Sequence, residues 1–255
     1  MPEEITVSSL QGTYALTSTG WGGQVPVAAL GILTFDGKGK ASGLLYQSVS
    51  GDAFGERKLL ELVLEGPYQI NADGTVTSVT MGGTFETRLV ITKTELAGDL
   101  RIAQEFSLIA KDLDPIAGNL TTTVATRLPD GGEFNNASLK GTYIGVAIGW
   151  GGQTAGAGFG IIRYDGNGGF SENNISNVQG NTFRERHFVS GSDAGKYTVN
   201  ADGTGNVSNG GVFFVITRAN LVDGIKVAQE YSFIVRDLIP TTGNLVTGVA
   251  KRLSD

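Results

Sequence analysis

Glu185 and His187 stand two residues apart in Arg-Glu-Arg-His-Phe-Val, a segment that reads as the start of a strand. Residues at i and i+2 of a strand share a face, so these two side chains can touch. A carboxylate beside an imidazole is a general acid–base pair, with the Glu orienting the ring and holding its proton. His187 is the only histidine and cysteine is absent. Thiolate zinc, iron–sulfur clusters, cysteine nucleophiles and multi-histidine sites are therefore excluded, and any triad must be built on His187. No metal and no cofactor is expected. The competing reading makes Arg184, Glu185 and Arg186 a solvated charge cluster with an exposed imidazole.

Further candidates come from the same alternation. Glu56 shares a predicted face with Lys58, Leu60, Leu62 and Leu64, which aims it at an interior. Gln104 interrupts the apolar face Ile102, Phe106, Leu108, and Gln229 interrupts Val227, Tyr231, Phe233. An amide so placed is expected to be buried, satisfied either by a core partner or by a ligand. Gln104, Phe106, Gln229, Tyr231 and Phe233 are thus candidate ligand-binding residues, with Glu56 beside them. Trp21 and Trp150, the only tryptophans, sit in two identical Gly-Trp-Gly-Gly-Gln segments. They are read as pliable apolar lids over a barrel mouth or as permanent plugs at its end.

Other motifs carry less. Gly156-Ala-Gly158-Phe-Gly160 leads into a strand, where a dinucleotide loop opens a helix. Asn200-Ala-Asp202-Gly-Thr204 has oxygen side chains at calcium-loop spacing but Gly211 where the bidentate Glu should stand. The formal charge of −6 without a basic cluster argues against nucleic acid. The longest apolar runs, such as Phe213 to Ile216, fall far short of the ~20 residues that cross a bilayer as a helix. The acidic opening, Met-Pro-Glu-Glu, shows no export signal, so a cytoplasmic location is expected.

These residues are held by a duplicated chain. Ser-Ser-Leu-Gln-Gly-Thr-Tyr from Ser8 recurs as Ala-Ser-Leu-Lys-Gly-Thr-Tyr from Ala137, and Trp21 and Trp150 stand 129 positions apart. The offset holds through Tyr68-x-x-Asn-Ala-Asp-Gly-Thr and its copy at Tyr197. It then falls to 125, as between Ala103-Gln-Glu-Phe and Ala228-Gln-Glu-Tyr. Each repeat is long enough to bury its own core, giving domains at 1–130 and 131–255. Asp-Gly and Gly-Gly turns punctuate short segments rich in Val, Ile, Thr, Tyr and Phe, about eight per repeat. Eight consecutive antiparallel strands close into an up-and-down barrel, with a two-sheet sandwich as the alternative. The repeats also diverge in polarity: Leu44-Leu45-Tyr46 is matched by Asn173-Asn174-Ile175, which makes the second interior more polar or else marks a loop.

The Gly-Thr-Tyr openings, the Asp-Gly-x-Gly hairpins and the closing Val-Ala-Thr-Arg-Leu and Val-Ala-Lys-Arg-Leu strands resemble the calycin and allene-oxide-cyclase-like small barrels of bacteria. The lipocalin Gly-x-Trp is Gly-Thr-Tyr here, at Tyr14 and Tyr143, and the lipocalin arginine falls at Arg127 or Arg252. Three functions are open. The chain is a small-molecule-binding barrel for an apolar or amphiphilic ligand. Alternatively, as the resemblance implies, it is a cofactor-independent isomerase or cyclase, with Glu185 and His187 moving the proton. Or it is a structural protein with both interiors packed. The oligomeric state is open.

Overall fold

The computed structural model describes residues 5–21, 26–50, 57–71, 73–81, 85–112, 120–150, 155–179, 185–207, 211–235 and 245–254. The chain divides into two compact units, Met1–Gln47 with Leu60–Asp130, and Ser48–Leu59 with Gly131–Asp255. Among the described residues the only helical pieces are two 3₁₀ turns, Val7–Ser9 and Asn136–Leu139. No helix among them is long and apolar enough to cross a membrane.

The first repeat forms β1 (Gln11–Trp21), β2 (Val27–Asp36), β3 (Lys40–Ser50), β4 (Arg57–Pro67), β5 (Gln69–Ile70), β6 (Thr75–Met81), β7 (Phe85–Ala97), β8 (Leu100–Asp112) and β9 (Leu120–Arg127). They make one curled sheet in the order β4-β3-β2-β1-β9-β8-β7-β6-β5. The second forms β10 (Gly141–Trp150), β11 (Gly156–Tyr164), β12 (Gly169–Gln179), β13 (Arg186–Val199), β14 (Thr204–Val207), β15 (Val212–Val222), β16 (Ile225–Val235) and β17 (Leu245–Arg252), a closed barrel. The expected all-β duplication is present, closed in one repeat and curled in the other.

The difference lies in one strand. In the second repeat β13 pairs with β12 as far as Lys196 and with β14 from Tyr197, so a single strand closes the ring. The matching stretch of the first repeat is cut into β4 and β5, the two edges of its sheet. Pro67 stands where the second repeat has Lys196. Proline has no N–H to give to a ladder; the break falls at the next residue, Tyr68, whose amide still donates to the Gly39 carbonyl at 2.8 Å as Tyr197 does to Gly168 at 2.9 Å, and the facing β6 ladder shifts register between Thr77 and Val79.

Turn chemistry repeats closely. Asp36 Oδ1 accepts from the Lys38 and Lys40 amides at 2.7 and 2.9 Å, and Asp165 Oδ1 from Asn167 and Gly169 at 2.7 and 2.8 Å. Asp73 and Asp202 each accept from the amide and hydroxyl of the Thr two residues on. The Asn-Ala-Asp-Gly-Thr oxygens are thus spent on their own turns, as Asn and Asp do locally.

Each unit is floored by rings at the end where its first strand begins. Tyr14 packs edge-on against Phe35 at 5.6 Å, and its hydroxyl donates to the Ala103 carbonyl at 2.7 Å. Tyr143 packs on Tyr164 at 5.6 Å and donates to the Ala228 carbonyl at 2.9 Å. Beneath them the last-strand arginines close the end. The Arg127 guanidinium fills the space a Cβ on Gly12 would need, and Arg252 does the same at Gly141 while lying over the Tyr143 ring at 5.9 Å. On β9, Ala125 and Thr123 point inward with Arg127, whereas Val124 and Leu120 are exposed.

Candidate functional site

The interiors differ although their backbones match. The closed barrel holds a cavity of about 200 Å³, and the curled sheet one of about 80 Å³. Leu16, Leu45, Leu62 and Leu64 line the smaller one. At the matching positions the second repeat has Gly145, Asn174, Gly191 and Asp193. Four branched side chains are thus exchanged for two glycines and two polar groups. The opposite wall moves the other way: Leu89 and Leu108 of the first repeat become Phe214 and Phe233. The result is a lumen with one aromatic wall and one small, polar wall.

Two further exchanges place hydroxyls on its floor. Phe35 and Phe106 of the first repeat correspond to Tyr164 and Tyr231. The Tyr164 and Tyr231 hydroxyls stand 2.8 Å apart, with the residues only 6% and 2% exposed. Burial pushes both phenols well above their ordinary range, so both keep their protons at neutral pH. Tyr231→Phe is expected to cost about 1–3 kcal/mol, because it leaves the Tyr164 hydroxyl buried without its partner. Adding Tyr164→Phe recovers most of that loss, as in the phenylalanine pair of the first repeat. A double-mutant cycle followed by denaturant unfolding checks it, and additive losses would show that the hydroxyls do not interact.

Above the floor sit two carboxylates. Glu172 on β12 and Asp193 on β13 are direct cross-strand partners, and both line the cavity, Glu172 half-buried and Asp193 exposed with its Oδ1 accepting from the Ala194 amide at 2.8 Å. Residues so paired face the same side. The Glu172 carboxylate lies over Gly160, where a Cβ would meet its Oε1 at 2.6 Å. Burial raises the Glu172 carboxyl above its ordinary value of 4.5, a hydrogen bond with Asn174 opposes that, and the Asp193 charge adds to it. Among the described residues no Lys, Arg or His lines this cavity. A carboxylate with a raised pKa destabilises the fold where it is ionised, at pH above its folded pKa. That penalty fades as pH falls toward 4.5, where the folded form takes up a proton first.

Of the residues expected at the site, Tyr231 and Phe233 line the cavity of the second unit. Phe106 is fully buried among Tyr14 and Phe35 in the first. Gln104 and Gln229 are displaced from the faces assigned to them. Both ladders slip beside these residues, at Lys93 and Arg218, and each Gln is left without a Cα partner. A bulge of this kind reverses the alternation. The inward series therefore runs from Ala103 to Phe106 and from Ala228 to Tyr231, and Gln229 is half-buried with its amide on the Val227 carbonyl at 3.3 Å.

Glu185 and His187 do meet, with Nε2 to Oε1 at 3.1 Å, but their side chains are 39% and 52% exposed and neither lines the cavity. Glu185→Gln with His187→Gln is expected to change stability by less than about 1 kcal/mol, as for most exposed pairs; thermal unfolding checks it, and a larger loss would mean buried coupling. Trp21 and Trp150 end β1 and β10. They fall in the outward series of those strands, with Ala15 and Thr17 in one case and Val146 and Ile148 in the other, and line neither cavity. Trp21 is 52% exposed, and the buried Trp150 Nε1 has no hydrogen-bond partner. The glycine loops that follow them, and Glu56, lie outside the described residues.

Glu172, Asp193, Asn174 and Tyr164 were not singled out as site residues, since none belongs to a motif. The usable signal was the repeat itself: at a constant offset each stands opposite an apolar residue or glycine of the first copy. Asn173-Asn174 was that signal in part, and both lie within β12 and not in a loop.

An antiparallel eight-stranded barrel with an open lumen is the architecture that the calycin resemblance implied. No protein-family model matches the chain, and no curated protein matches it in sequence. Among solved structures it is similar to HpuA from Kingella denitrificans in complex with human haemoglobin, at 9% identity and a TM-score of 0.33, covering 100% of this chain and 92% of that one. It is also similar to a protein of unknown function of the DUF3598 family from Nostoc punctiforme, at 10% identity and a TM-score of 0.27, covering 95% and 96%.

Proposed function

We propose that the second unit is a binding barrel for a small amphiphilic molecule and that the first is its packed counterpart. One observation carries this reading: at matched backbone positions, four leucines that fill the first interior are replaced in the second by two glycines, an asparagine and an aspartate. A core that loses such side chains is destabilised by roughly 2–5 kcal/mol for each large-to-small change unless something else fills the space. The cavity of about 200 Å³ is smaller than the roughly 300–1,000 Å³ of pockets for drug-sized molecules. Its aromatic wall suits an apolar body, and its polar wall fixes one end.

Native mass spectrometry of protein purified from its own source, before and after denaturation, tests this. A bound small molecule that is lost on unfolding is expected. If the native and denatured masses agree, and no small apolar or amphiphilic compound shifts the unfolding midpoint, the second interior is merely loose and the reading fails.

A further inference from the structure

We propose that the lumen of the second unit selects an organic cation, an ammonium group on a body about the size of one aromatic ring, with the ammonium between Glu172 and Asp193 and the body against Phe233, Phe214 and Tyr231. This rests on the binding-barrel reading and names its ligand class. Charge is the first argument. Two carboxylates placed directly opposite each other repel, and like charges in that position destabilise a sheet. No basic side chain among the described residues lines the cavity to offset them, so half-buried Glu172 and exposed Asp193 set a negative charge on the cavity wall that faces the aromatic side chains. An ammonium there gains charge-assisted hydrogen bonds to both carboxylates and a favourable position over ring faces. A carboxylate-bearing ligand would add a third negative charge to the same space.

The floor gives an independent observation. The Tyr164 and Tyr231 hydroxyls have two protons between them, and the 2.8 Å contact uses one. Each hydroxyl can donate once and accept twice. In the proposed complex the second proton goes to an acceptor on the far end of the ligand, at side chains more than nine-tenths buried. Cationic head and oxygen-bearing ring are thus matched to opposite ends of one lumen. The first repeat has neither feature: Gly43 and Leu64 stand for the carboxylates, Phe35 and Phe106 for the hydroxyls.

The test uses three probes that share a ring hydroxyl and differ in head charge: tyramine, tyrosol and 4-hydroxyphenylacetate. Calorimetry on the full chain is expected to show tyramine binding at least about tenfold more tightly than tyrosol, with the anion weaker again. Glu172→Gln and Asp193→Asn are each expected to weaken tyramine by about ten- to a hundredfold, the range for a charged hydrogen bond. Tyrosol should weaken far less than tyramine in both variants, and a cooperative unfolding transition shows that they fold. Tyramine affinity should also fall as pH is lowered into the titration of Glu172, whose neighbours in the lumen are Asp193, Asn174, Tyr164 and Tyr231. Tyrosol binding as tightly as tyramine, or the anion binding best, overturns the cation inference and leaves the binding barrel standing. If none of the three binds, the mass of the molecule retained from the source decides: a neutral or acidic compound overturns the inference, and no compound at all overturns both.

Discussion

A second unit given the first unit's residues at four lumen positions, Tyr164→Phe, Asn174→Leu, Asp193→Leu and Tyr231→Phe, is expected to fold at least as stably as the parent and to lose small-molecule binding by about a hundredfold or more. Each change copies a residue that the same backbone already holds at Phe35, Leu45, Leu64 and Phe106. The leucine at 174 refills space beside its cross-strand partner Gly191, and burying it contributes about 1.5–3 kcal/mol, whereas position 193 is exposed and a leucine there adds less. Removing both hydroxyls together leaves no orphan, so the floor is close to neutral. The binding loss follows from a filled cavity and from the missing carboxylate and two hydroxyls. Calorimetry and denaturant unfolding on one preparation separate the two effects. Unchanged binding in a stabilised variant would place the ligand outside this lumen.

Tyr143→Ala is expected to destabilise the closed barrel by about 3–5 kcal/mol, the range for removing a large buried ring. The ring is fully buried, packs against Tyr164 and Tyr231 at 5.6 and 5.5 Å, and anchors the Ala228 carbonyl. Tyr143→Phe keeps the packing and loses one buried hydrogen bond, so about 1–2 kcal/mol is expected. Urea unfolding of both variants checks the contrast. The phenol adds a pH signature. Burial is the main cause that holds the Tyr143 pKa up to about 12 from its ordinary 10.0. The folded state therefore keeps a proton that the unfolded chain sheds, and stability falls as pH rises from 10.0 toward about 12. Tyr143→Phe should flatten part of that alkaline fall. Equal losses for Ala and Phe would mean that the hydroxyl, not the ring, holds the floor.

The duplication, the strand content and the polarity of the second interior were legible because they are written in types and spacing. Asp-Gly turns, alternating Val, Ile and Thr, and the constant offsets need no knowledge of pairing. What escaped depends on events a single strand does not show. The bulges at Lys93 and Arg218 reverse the facing of β8 and β16, which moves Gln104 and Gln229 off the inward face. The large residues of β9, Val124 and Leu120, face outward, while Thr121, Thr123 and Ala125 face the interior, which inverts the usual pattern. The break between β4 and β5 falls beside Pro67, where the closed barrel has Lys196, and beside a register shift on β6 that one strand's sequence does not show. Glu185 and His187 drew notice as the only acid–imidazole neighbours, and they do touch, yet the carboxylate that lines the lumen is Glu172, whose partner Asp193 is 21 positions away in sequence.

The crystal structure of the protein isolated from its own source tests the central claim most directly. Density for a small organic molecule is expected in the second unit, against Tyr231 and Phe233 and within hydrogen-bond distance of Glu172 or Asp193, with none in the apolar cavity bounded by Leu16 and Leu64. A second lumen closed by its own side chains, or filled by ordered water while a molecule sits elsewhere, would contradict it.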